Sequence, residues 1–165
     1  MKYDMCGGAD VLGVMKTLGA LKAKANVYGI IPTTENLVSG KAYKPQDVIT
    51  TLSGKTVEII STDAEGRLIL CDAITYAQQL GATQLIDLAT LTGACVSALG
   101  DIYTGVFSND DEYYQEFDKA MKESDEKGWR LPIDEEYLQN LNHIVQILKI
   151  QLVKQVLEQV LLLTS

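Results

Sequence analysis

The chain has 165 residues and is 47% apolar, enough for one domain with a real core and unlike a disordered segment. Its formal charge of −8 argues against nucleic acid as a default partner, and any cationic site inside so acidic a chain has to import its ion. A single histidine, His143, excludes a His-rich zinc site within the chain and leaves any Ser-His-Asp or Cys-His arrangement resting on that one residue.

Thirteen glycines against three prolines suit an α/β fold with tight turns. Cys6, Cys71 and Cys95 lack metal-finger spacing and lie in apolar or glycine-rich segments, so they read as buried, reduced thiols. The odd count, with no signal-peptide-like region in "MKYDMCGGAD", points to the cytoplasm. No long uncharged apolar run reads as a membrane span.

Along the chain, "ADVLGVMKTLGALKA" (9–23) spaces Val11, Leu12, Met15, Leu18 and Leu21 for one helix face, with Asp10 placed to cap it. "NVYGII" (26–31) reads as a buried strand ended by Pro32, and 33–47 as loop. "TVEII" (56–60), after the turn "SGK", is a second strand, and a helix is expected from about Leu68 to Leu80. "ATQLIDLATL" (82–91) is a third strand, "GACVSALG" (93–100) a short helical crossing and "YTGVFS" (103–108) a fourth strand. A helix over 110–128 opens on acids and closes at Gly128. Strands alternating with helices predict an α/β protein with a mostly parallel, covered sheet and no internal repeat.

The chemistry concentrates in "STDAEGRL" (61–68), between a predicted strand and a predicted helix. Alternate spacing on an extended chain puts Asp63, Glu65 and Arg67 on one side. Two carboxylates so close repel unless a cation lies between them. Hard oxygen donors suit magnesium or manganese and are accepted by zinc, and a carboxylate-bridged metal pair is a common hydrolytic device. The other reading has Asp63 capping the next helix and Glu65 paired with Arg67. Asp4, ahead of two glycines and a helix, is a third candidate ligand or else a solvated N-terminal acid. "DLATLTGA" (87–94) follows a buried strand and allows close backbone approach to a ligand, or is simply a turn.

Together, "MKYDMCGGA", "GIIPTTENLVSGKAYKPQDV", "STDAEGRL", "DLATLTGACVSALG" and "TGVFSND" resemble the leucyl (cytosol) aminopeptidase family in order and spacing, over roughly residues 1–142. The resemblance implies part of a three-layer α/β/α catalytic domain with a mostly parallel mixed sheet. It also implies a dinuclear metallopeptidase, using zinc or manganese, that removes unblocked N-terminal residues from peptides. By the same resemblance Asp63 holds one metal, Asp4 the other and Glu65 bridges them. Arg67 matches a catalytic arginine that holds bicarbonate as general base. Thr90, Leu91 and Gly93 lie around the substrate, and Met1 walls the pocket for its first side chain. The family is typically hexameric.

Departures from the family pattern shape the expectation. Nothing in these 165 residues matches the family's metal-binding lysine, bridging aspartate and catalytic lysine, which would precede Met1, so the chain is expected to be inactive alone and its sheet to lack strands. Ser61 stands where the family usually has Asn, offering a hydroxyl in place of an amide. Residues 143–165, "HIVQILKIQLVKQVLEQVLLLTS", contain no glycine and read as a helical or disordered tail outside the family. Back-translated with freely chosen codons and read two bases later, they can spell the family-like Ala-Asp-Ile-Lys-Asn, so a frameshift near residue 142 is the expected origin. His143 then has no catalytic claim. The competing expectation for the whole chain is a non-catalytic interaction or metal-binding module.

Overall fold

The computed structural model describes residues 2–35, 39–140 and 161–164. Met1, His143 and most of the 143–165 tail therefore lie outside the described residues. The chain divides into two compact units: residues 1–29, 84–134 and 155–165 form one, residues 30–83 and 135–154 the other.

The first unit is built on a four-stranded sheet. Its strands are β3 (Ile86–Ala89), β4 (Thr104–Phe107), β5 (Gly128–Arg130) and β6 (Leu161–Thr164), in spatial order β3-β6-β4-β5. β3 with β6 and β4 with β5 are parallel, whereas β4 and β6 are antiparallel. This is the mostly parallel mixed sheet of an α/β fold that the alternating pattern predicts. The tail was expected to be helical or disordered, but Leu161–Thr164 is a strand. An apolar "LLLT" run can meet the hydrogen-bonding edges of β3 and β4 at once.

Helix α1 (Cys6–Leu21) packs on β3, α3 (Gly93–Leu99) on β4, and α4 (Asp111–Glu123) lays Met121, Tyr113, Tyr114 and Phe117 against Val106, which is fully buried on β4. Asp110 caps α4 by accepting from the Tyr113 N–H at 2.8 Å, with Asp111 and Glu112 in the first turn, as the acids at its start suggest. The helix ends at Ser124, and Gly128 instead opens β5, where any β-carbon would run into the Met121 thioether.

Arg130 ties β5 back to this helix. Its guanidinium donates to the Asp111 carboxylate and the Ser108 carbonyl and lies 4.5 Å over the Tyr114 ring. Because Asp111 is largely exposed, Arg130→Ala should cost only about 1 kcal/mol, read as a small fall in urea midpoint.

α1 starts at Cys6 with Met5 as a cap that makes no side-chain bond, so Asp10 lies inside the helix and does not cap it. The two glycines are helical because Gly7 must lie flat on β3. The helix buries Gly7, while Leu12 and Leu21 on its outer surface stay exposed. Residues 26–31 form no ladder in place of the expected buried strand, and Val27 and Tyr28 are exposed. A β-branched run becomes a strand only with a neighbour to pair with, and none of the described strands takes it.

The second unit carries a hairpin, β1 (Val48–Thr50) antiparallel to β2 (Thr56–Glu58), closed by Gly54 at φ +80°. It also carries helix α2 (Glu65–Gln79), which buries Cys71, Ile74 and Ala77, and the short α5 (Glu135–Asn140). Asp72 on α2 accepts from the Leu52 N–H at 2.8 Å, pinning the hairpin turn to the helix. None of the three cysteines forms a disulfide among the described residues; burial and the neighbouring Asp72 push the Cys71 thiol up to about 12, and it donates to the Leu68 carbonyl. Among the described residues no helix is long and apolar enough to cross a membrane.

Candidate metal centre

In the first unit the residues of interest gather at the carboxyl end of β3, where ligands of open α/β sheets collect. Asp4 lies in the turn that enters α1, and Thr90 is the first residue beyond β3. They are 86 positions apart in sequence, yet Thr90 Oγ1 donates to Asp4 Oδ1 at 2.7 Å. Gly7 makes this possible. A β-carbon there would lie 2.0 Å from the Leu88 carbonyl oxygen and 3.1 Å from Ala89 Cα, so only glycine lets the first turn of α1 rest on the strand backbone. Leu91 is half-buried in the following loop. Thr92 caps α3 by accepting from the Ala94 N–H at 3.2 Å, and Gly93 is the exposed first residue of that helix.

In the second unit "STDAEGRL" is not an extended chain. Thr62–Ala64 form a 3-10 turn and Glu65 opens α2, three residues earlier than the expected helix start. The alternate-spacing argument is therefore overturned: residues two apart on a helix do not face each other. For the same reason the rival reading also fails. Glu65 and Arg67 make no ion pair among the described residues, and the N-cap of α2 is Ala64, not Asp63; Ser61 caps the 3-10 turn, its Oγ accepting from the Asp63 N–H at 3.3 Å. Asp63 and Arg67 are exposed, and Glu65 is half-buried.

Glu65 Oε2 is enclosed and meets no hydrogen-bond donor among the described residues. A buried carboxylate oxygen without a donor is costly unless a cation takes it. Tyr43, from the "GKAYKPQD" loop, lies close enough to register that charge. Its hydroxyl donates to the Thr62 carbonyl at 3.4 Å, and burial, then the Glu65 carboxylate, hold the phenol above its ordinary range. Nothing in the sequence pattern marks Tyr43 as part of this corner. Sequence reasoning also missed Asp87 on β3, whose Oδ2 is buried without a partner among the described residues and whose carboxyl burial pushes up to about 6. The signal was there: a lone acid inside the apolar run "LIDLATL".

The donor chemistry, all carboxylate oxygen with one oxygen orphaned, fits a divalent cation. Among the described residues no three His, Cys, Asp or Glu side chains come together to hold a metal ion.

Comparison with known proteins bears on the same residues. The family model described as "Cytosol aminopeptidase family, catalytic domain" matches residues 1–157. A protein of Koribacter versatilis (strain Ellin345) described as "Probable cytosol aminopeptidase" is 58% identical over 137 residues, covering 83% of this chain and 27% of its own length. One of the same description from Alkaliphilus oremlandii (strain OhILAs) is 52% identical over 149 residues, covering 90% of this chain and 30% of its own. The chain thus spans less than a third of these relatives. Among solved structures, a mutant of tomato leucine aminopeptidase superposes with a TM-score of 0.85 at 36% identity, over 99% of this chain and 35% of that one.

Proposed function

Because the chain belongs to the cytosol aminopeptidase family, within its catalytic domain, we propose that it carries three carboxylates of a dinuclear metal site that cleaves N-terminal residues from peptides. Asp63 and Asp4 would each hold one ion, and Glu65 would be shared between the two. The observation that carries this reading is Glu65 Oε2, enclosed and without a donor among the described residues, in the stretch that resembles the family's signature. The bound ions, zinc or manganese, would supply Lewis-acid polarisation of the scissile carbonyl and a water acidified to near neutral pH. Arg67, exposed and without an ion pair among the described residues, is free to hold an anionic general base such as bicarbonate. Leu91 and Gly93 offer backbone groups to the peptide, with Met1 at the wall of its first side-chain pocket. Homohexameric assembly in the cytoplasm belongs to the same reading.

The 165-residue chain by itself is expected to bind metal weakly and exchangeably and to leave a leucine anilide uncleaved, since it matches only part of the ligand set that the resemblance implies. Manganese titration followed by electron paramagnetic resonance tests this. Glu65→Gln should weaken binding by at least the ~10–100-fold typical of losing an outer-shell partner. Equal affinity in Glu65→Gln would remove the metal reading and leave a non-catalytic interaction module. Tight binding of two ions, or turnover of the anilide, would refute the predicted inactivity.

The tail is proposed to arise from a change of reading frame near residue 142. The family match runs past that point, so the coding DNA decides both the origin and the boundary. A second frame without family-like sequence sinks the idea.

A further inference from the structure

We infer that Thr90 is a positioning residue: its hydroxyl orients the Asp4 carboxylate for a metal ion and does not serve as a donor to the substrate. This rests on the metal reading of Asp4 above but makes a separate claim about Thr90, whose family position lies beside the substrate. A threonine hydroxyl has one proton to donate. Here it goes to Asp4 Oδ1 at 2.7 Å. Among the described residues nothing else donates to that carboxylate, so Oδ1 is engaged by the hydroxyl and Oδ2 remains available to a cation.

The pair is also placed by packing. Thr90 directly follows β3, and Asp4 stands two residues before α1, whose Gly7 sits against the Leu88 carbonyl. Strand and helix thus hold the two side chains from either side with little freedom to drift. A carboxylate held by one oxygen through a hydroxyl is the usual outer-shell arrangement behind a metal ligand, and losing such a partner typically costs ~10–100-fold in affinity. What remains at Thr90 for a peptide is its backbone, not its side chain.

The test compares wild type, Thr90→Val, which keeps the shape and removes the hydroxyl, and Thr90→Ser, which keeps the hydroxyl. Two readouts are taken on the 165-residue chain. Without metal, NMR couplings follow the Thr90 side-chain rotamer, expected as a single rotamer that is released to averaging in Asp4→Ala. With manganese, Thr90→Val should bind about tenfold more weakly and Thr90→Ser should recover wild-type affinity. Matched circular dichroism and urea midpoints separate loss of positioning from loss of fold.

A Thr90 rotamer that averages in wild type as it does in Asp4→Ala, or Thr90→Val binding like wild type while Glu65→Gln does not, overturns this inference and leaves the metal reading standing. Wild type that binds no manganese at all overturns both.

Discussion

Gly7→Ala should destabilise the chain by about 2–4 kcal/mol, although alanine is the better helix former. Glycine inside a helix costs about 1 kcal/mol relative to alanine, so propensity alone favours the substitution. Sterics oppose it more strongly. The new β-carbon would sit 2.0 Å from the Leu88 carbonyl oxygen and 2.7 Å from its carbon. These are backbone atoms of a paired strand, and neither can swing aside. Overpacking against yielding side chains already costs 1–3 kcal/mol, and a backbone collision lies at or beyond the top of that range.

Gly13→Ala, in the same helix with nothing within 4 Å of its would-be β-carbon, isolates the propensity term and should gain up to about 1 kcal/mol. Urea unfolding of both variants checks the pair; Gly7→Ala falling within error of Gly13→Ala would show that α1 does not lie as close to β3 as described. The consequence reaches the site. A helix pushed off β3 carries Asp4 away from Thr90, so Gly7→Ala should also weaken metal binding where the variant still folds.

Gly7 also illustrates what sequence could and could not disclose. The apolar spacing of Val11, Met15 and Leu18 identified α1, because helical periodicity is written in local sequence. Its start was misread, since Asp10 is a better cap by type than Met5. What extends the helix back to Cys6 is contact with a strand some eighty residues away, and tertiary contact overrides propensity. The strands β3 and β4 and the helices α2, α3 and α4 were legible for the same local reason, with ends off by a few residues. "NVYGII" was misread because a strand needs a partner that a single segment cannot reveal.

At the site, residue types were legible and geometry was not. Asp63, Glu65 and Arg67 were singled out as residues of the family signature on an extended chain, whereas they lie on a 3-10 turn and a helix start. Asp4 and Thr90 were both named, yet no spacing rule joins positions 86 apart. Tyr43 gave no signal at all.

Asp87 was overlooked despite a visible one, and it carries the second large effect: the stability of the chain should fall as pH rises from about 4 to 7 by an amount that Asp87→Asn abolishes. Asp87 is 7% exposed, its Oδ2 has no partner among the described residues, and burial pushes its carboxyl from 3.8 to about 6. The sign follows from proton counting. Between the unfolded and folded values the native state holds the proton more tightly, so unfolding releases it, and stability declines with pH. The contribution is full below about 4, is lost as pH passes through about 6, and is flat above that. A shift of about two pH units corresponds to about 2–3 kcal/mol at neutral pH. Asparagine is nearly isosteric and cannot ionise. Whatever fixed penalty its amide incurs is the same at every pH, and the remaining carboxylates titrate alike in both proteins. The difference in unfolding free energy between Asp87→Asn and wild type should therefore move in favour of the variant by about 2–3 kcal/mol from pH 4 to pH 8. Urea melts across that range measure it directly. A gap that does not change with pH would mean that the Asp87 carboxylate finds a cation or a donor when the protein is folded, and that β3 does not carry an unpaired buried charge.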